Sequence, residues 1–110
     1  MKGNPKFVID VDRYVKYVDN GMRPDYTIET AAIGLGGETG EVLNAIKKLL
    51  VYKKGEPATE QFDKYEFQAK EELGDVFWQW VALCRKLGYN VHEVVELNVD
   101  KLQQKYNDVY

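Results

Sequence analysis

Ala31-Ala-Ile-Gly-Leu-Gly-Gly-Glu-Thr-Gly-Glu-Val-Leu-Asn-Ala-Ile-Lys-Lys-Leu49 decides how the rest of the chain is read. Ala31, Leu35, Val42, Ile46 and Leu49 fall at the three- and four-residue steps that line one face of a helix. Glu38 falls in register with that apolar stripe. Within Glu38-Thr39-Gly40-Glu41, three residues advance a helix by roughly 300°, so the two acids lie about 60° apart and one turn along. Gly34, Gly36, Gly37 and Gly40 each cost roughly 1 kcal/mol relative to alanine inside a helix. Either the segment breaks into two shorter helices, or the glycines admit a neighbouring backbone or a ligand.

A second acidic motif repeats the arrangement. Glu72-Leu73-Gly74-Asp75 places Glu72 on the stripe Tyr65, Ala69, Val76, Trp80 and Leu83, with Asp75 flanking it one turn later. A solvated pair would lie opposite the apolar stripe, and an inward carboxylate is costly without a neutralising cation. Gly40 and Gly74 each precede the second acid, where a bulky side chain would crowd a ligand. Four carboxylates, Glu38, Glu41, Glu72 and Asp75, therefore read as a metal site. Oxygen donors with no nearby His or Cys select a hard cation, magnesium or manganese in its place. His92 is not paired with an acid as Glu-x-x-His, so a di-iron bundle does not fit; it reads as a surface or cap-proximal residue.

Working outward, four amphipathic helices are expected and no convincing strand. The first covers about residues 6–20, with Val8, Val11, Val15 and Val18 on one side and a stop at Gly21 and Pro24. The second opens at Thr27, a plausible N-cap, and runs to about Tyr52. After Lys53-Lys54-Gly55-Glu56-Pro57, Thr59 caps a long third helix that ends before Gly88. Asn90 opens the fourth, with Glu93 as its capping-box partner. Short connections and apolar faces imply an all-α, four-helix-bundle-like fold in one domain, residues 1–110.

Composition narrows the function. Of 110 residues, 45% are apolar and 30% charged, an ordinary globular balance. A net charge of −3 gives no basic stripe for nucleic acid, and no run approaches a membrane span. Cys84 is the single cysteine and cannot form an internal disulfide; with no signal-peptide pattern, a cytoplasmic protein is expected.

Magnesium held by carboxylates keeps positions for phosphate oxygens. Asn98, Lys101 and Lys105 follow at steps of three and four along the fourth helix. Asn98 can bond a sugar or phosphate oxygen and the lysines can hold phosphates, or the two lysines form a solvated basic rim. Lys47 and Lys48 suit the negative end of the second helix. Trp80 reads as core, while Trp78 faces elsewhere, towards a nucleobase or a subunit interface.

Three segments, Gly34 to Lys48, Glu71-Glu-Leu-Gly-Asp-Val-Phe-Trp78 and Asn98-Val-Asp-Lys-Leu-Gln-Gln-Lys-Tyr106, resemble the MazG-like nucleotide pyrophosphohydrolases of the all-α NTP pyrophosphatase superfamily. The resemblance covers about residues 26–106, leaving the first helix as a lead-in. It implies metal ligation by Glu38, Glu41, Glu72 and Asp75, with Glu38 or Glu41 as proton acceptor. Asn98 and Lys101 would bind substrate, joined by Lys105 where relatives often carry Arg. The implied reaction splits a nucleoside triphosphate into monophosphate and pyrophosphate, and the implied assembly is a homodimer or homotetramer. A metal–nucleotide binding module of the same fold without turnover is the alternative. Thirty residues separate Glu41 from Glu72, which suggests a lengthened connection at Gly55–Phe62.

Overall fold

The computed structural model describes residues 10–52 and 59–106, and the described residues form four α-helices and no strand. These are α1 (Val11–Gly21), α2 (Ile28–Val51), α3 (Thr59–Lys86) and α4 (Val91–Tyr106). Their ends follow from capping chemistry. The Asp10 carboxylate accepts the Arg13 N–H at 2.8 Å, and the Thr27 hydroxyl accepts the Thr30 N–H at 3.1 Å. The Asn90 side chain accepts the Glu93 N–H at 3.2 Å. Each cap satisfies a donor that the first helical turn leaves unpaired. Asp10 as cap places the start of α1 after the expected Lys6, and residues 1–9 lie outside the described residues.

α3 ends in a left-handed turn at Gly88, whose φ of 76° favours glycine. There the Tyr89 N–H reaches the Cys84 carbonyl and the Gly88 N–H reaches that of Arg85, the paired bonds of a Schellman cap. The turn lets α4 start only a few residues beyond α3. At its other end α3 begins at Thr59, so only residues 59–62 of the expected Gly55–Phe62 connection fall among the described residues, and they are helical. Residues 53–58 lie outside the described residues.

α2 runs unbroken through its four glycines. It packs along α3, and the two helices run antiparallel. Gly34 near the start of α2 meets Gln79 late in α3, while Lys48 near the end of α2 lies over the Tyr65 ring early in α3. Ala31, Val42, Ala45 and Ala69 are buried along this seam. α1 lies across α3, and α4 also packs chiefly against α3.

Val18, Val81, Ala82, Cys84 and Val91 form the buried core, bordered by Tyr14, Val15, Met22, Tyr26, Trp78, Trp80 and Val94. It joins α1, the C-terminal half of α3 and the start of α4. Fully burying each valine stabilises the fold by about 1.5–3 kcal/mol. The buried apolar faces of α1 and α4 are short, so both helices gather at this end. The all-α, four-helix architecture is as expected, and it is arranged as a long α2–α3 hairpin with a small cluster at one end. Its radius of gyration is 17.1 Å, against about 13 Å for a compact domain of this length. Ile33, Leu43, Leu50 and Phe67 remain exposed along the hairpin.

Candidate metal centre

Glu38 of α2 and Glu72 and Asp75 of α3 come together across the hairpin. One carboxylate oxygen from each lies within 4.8 Å of the other two. Antiparallel packing produces this meeting. Stepping along α2 from Gly34 by one turn reaches Glu38; stepping back along α3 from its partner Gln79 by one turn reaches Asp75. Glu41 and Glu72 occupy the following turn of each helix.

Glu38 and Glu72 are half-buried and Asp75 is exposed, so the cluster sits at the edge of the seam and opens to solvent. Partial loss of hydration raises the pKa of Glu72 above its ordinary 4.5, as do the charges of Glu38, Asp75 and Glu41 and a hydrogen bond with Glu38. The cluster is a concentration of like charge. Ion pairs among the described residues join Arg23 to Asp25 and Arg85 to Asp19, a hydrogen bond joins His92 to Asp12, and none touches the three acids.

The donor set fits a hard divalent cation. Octahedral magnesium with bonds near 2.1 Å places its ligand oxygens about 3–4 Å apart, which small side-chain rotations reach from the observed spacing. An all-oxygen set without imidazole or thiolate favours magnesium or manganese over zinc or copper.

The four acids expected from the sequence are not equivalent. Glu41 lies outside the trio and is exposed, although its charge reaches Glu72. Asn98 and Lys101 are exposed on α4, and no hydrogen bond or ion pair among the described residues brings them to the acids. Lys105 is exposed on the last turn of α4. Trp78, expected to face a nucleobase or a subunit interface, is partly buried within the chain. Its ring meets Tyr26 edge-on at 6.0 Å and passes 3.4 Å from where a Gly21 β-carbon would stand. The indole is held in the packing between α1 and α3 by the apolar area it buries there.

Lys48 lies 5.5 Å from the Tyr65 ring centre, where Tyr52 and Tyr65 stack, giving it a packing role away from the acids. His92 is exposed beside Asp12 at 2.9 Å, as its cap-proximal position suggested. Cys84 is buried, and burial pushes its thiol up, away from the reactive thiolate.

Three residues near the acids escaped sequence reasoning. Tyr26 donates its hydroxyl proton to the Gln79 carbonyl, and the Gln79 amide lies against the bare backbone of Gly34. Tyr14 packs on Phe77 at 5.0 Å, and its phenol is raised by burial first, then by Tyr17 and Asp75. Fifty-three positions separate Tyr26 from Gln79, so no local spacing signals their contact.

The family model described as the MazG nucleotide pyrophosphohydrolase domain matches residues 26–110. The Gene 37 protein of Mycobacterium phage L5 is 40% identical over 73 residues, covering 66% of this chain and 60% of that relative. The chain therefore spans less than two thirds of the curated relative it matches. No solved structure matches. With a domain match over most of its length, and with that match containing both acidic motifs that meet across the hairpin, the chain belongs to the MazG nucleotide pyrophosphohydrolase family.

Proposed function

We propose that the protein is a magnesium-dependent nucleoside triphosphate pyrophosphohydrolase that releases a monophosphate and pyrophosphate, acting in nucleotide-pool housecleaning or regulation. The observation that carries this reading is the approach of Glu38, Glu72 and Asp75 to within 4.8 Å across two helices, with no described basic partner. Repelling carboxylates at the edge of a packing seam are a liability to a metal-free structural bundle and an asset to a cation site.

Bound magnesium supplies charge neutralisation for the triphosphate and activates water towards phosphorus. The protein's own groups do the rest. Glu38, Glu72 and Asp75 orient the cation. Glu41, outside that trio and solvent-accessible, is the better placed of the two candidate glutamates to accept the proton of the attacking water. The water oxygen bonds to the α-phosphorus as the bond to the α–β bridging oxygen breaks. The bridging oxygen leaves with pyrophosphate, whose charge Lys101 and Lys105 offset while Asn98 bonds a sugar or phosphate oxygen. Trp78 packs edge-on against Tyr26 beside Gly21, so its contribution here is to packing rather than to base stacking.

The working form is a homo-oligomer, a dimer or tetramer, in the cytoplasm where such nucleotides are made and used. Exposed Ile33, Leu43, Leu50 and Phe67, together with the extended radius of gyration, support burial of the hairpin's outer side against a second copy. Asn98 and Lys101 stand clear on α4 and are free to meet substrate in that assembly.

Incubating the protein with a panel of ribo- and deoxynucleoside triphosphates and magnesium, while following pyrophosphate, tests the reading. Release of pyrophosphate with matching monophosphate is expected for at least one nucleotide. Binding without turnover across the panel would reduce the protein to a metal–nucleotide binding module.

A further inference from the structure

We propose that Gly34, Gln79 and Tyr26 are positioning residues, a polar lock that fixes the axial register of α2 against α3 and so assembles the acidic trio. The importance of the lock for metal binding rests on the magnesium reading above; the register itself does not.

The seam gives the lock its purpose. Ala31, Ala45 and Ala69 are small, and small side chains leave shallow ridges along a helix axis. The acids also repel one another, with carboxylate oxygens of Glu38, Glu72 and Asp75 within 4.8 Å. Apolar packing alone tolerates sliding, since each residue of slip moves a helix by about 1.5 Å and turns its side chains by about 100°. A directional polar contact does not tolerate it; fixing register is the best-attested use of such groups in helical assemblies.

The contact sits one turn from the site on both helices. A β-carbon at Gly34 would lie 2.6 Å from Gln79 Oε1 and 2.8 Å from its Cδ, so the carboxamide occupies the space that glycine leaves. Tyr26, just before the α2 cap at Thr27, donates to the same Oε1. Gln79 is thereby held from two sides by α2 and its lead-in. Gly36, Gly37 and Gly40 have nothing within 4 Å of a β-carbon, so Gly34 is singled out among the glycines of α2.

Gly34→Ala is a sharp probe because two effects oppose each other. Alanine favours the helix by about 1 kcal/mol, while its methyl expels the Gln79 carboxamide. A purely packing role predicts a lower Tm and unchanged metal affinity. The lock predicts the reverse: Tm held or raised, with Mn2+ affinity by calorimetry about fivefold weaker. Gln79→Ala and Tyr26→Phe should weaken Mn2+ in the same direction. Gly34→Ala combined with Gln79→Ala should be no worse than the weaker single variant, since both disable one device.

A metal-free measurement keeps the two readings separate. Spin labels at Ala32→Cys and Asp63→Cys, near opposite ends of the hairpin, report its axial register while buried Cys84 stays unlabelled. The parent pair should give one narrow distance, and adding Gly34→Ala should broaden or shift it. An unchanged distribution overturns the lock. A shifted distribution with unaltered Mn2+ affinity overturns its link to the site, and a parent protein that ignores Mn2+ sinks the magnesium reading while the lock stands.

Discussion

The middle and the C-terminal end of α3 do different jobs. Around Val81, Ala82 and Cys84, α1 and α4 close over the helix and bury apolar side chains completely or nearly so. Around Glu72 and Asp75, α3 meets α2 through small residues, and carboxylates crowd the edge of the seam. The first region stores stability and the second gives some of it up. Partial loss of hydration and mutual repulsion make the acidic region unfavourable until a cation arrives. That difference implies that substitutions in the two regions should separate activity from stability.

The largest separation is expected at the acids. Asp75→Asn and Glu41→Gln should each lower pyrophosphate release by more than about a hundredfold, measured at saturating magnesium. Helical circular dichroism should be retained, because neither side chain contributes to the buried core. Without magnesium, Asp75→Asn should raise Tm, since it removes one of the charges that raise Glu72. Wild-type turnover in either variant would break the comparison outright.

Val81→Ala is the opposite probe. Val81 is 1% exposed, and truncating it removes two methyl groups and leaves a cavity, costing about 2 kcal/mol. Urea unfolding should record that loss, while Mn2+ affinity of the folded protein stays within about twofold. A large fall in metal affinity would mean that the core end and the acidic region are more tightly coupled than their separation along α3 suggests.

The acidic region was largely legible in the sequence and the lock beside it was not. Glu38 and Glu72 announced themselves by interrupting apolar stripes at helical spacing, a local signal that survives without tertiary information. The caps at Thr27 and Asn90 were legible for the same reason. The position of Glu41 outside the trio was not, because spacing fixes a residue's angle on its own helix and says nothing of the facing one. For Trp78, likewise, the angle set it apart from the α3 stripe without naming its neighbours, Tyr26 before α2 and Gly21 at the end of α1. The Tyr26–Gln79 contact joins positions whose meeting depends wholly on register. The all-α class was legible in the same way, whereas the covering of each apolar face was not, since periodicity gives a helix such a face without saying what packs on it.

Acidity should move the two regions in different ways. The folded pKa of Glu72 is raised above 4.5, so the folded state holds a proton more firmly than the unfolded chain does. Stability without metal should therefore rise as pH falls through the raised value towards 4.5, and decline as pH rises across that window. Magnesium should flatten or reverse the trend, because protons compete with it for the same oxygens. Urea midpoints at several pH values, with magnesium and with a chelator, read this directly. Identical slopes under both conditions would remove Glu72 from the metal site.

The smallest effects are expected where charges tie α1 to the core end. Arg85 donates to both oxygens of Asp19 at 3.1–3.3 Å, and the pair raises the Arg85 pKa. His92 and Asp12 lie 2.9 Å apart and are largely exposed. Exposed pairs contribute about 0–1 kcal/mol, with bidentate geometry towards the upper end. Asp19→Asn should therefore cost up to about 1 kcal/mol and Asp12→Asn less, both shrinking in high salt. Neither change should alter Mn2+ affinity, because the buried valines hold α1 in place once the charges are removed. Loss of metal binding in Asp19→Asn would instead make the seating of α1 against Phe77 and Asp75 part of the site, with Tyr14 the side chain to examine next.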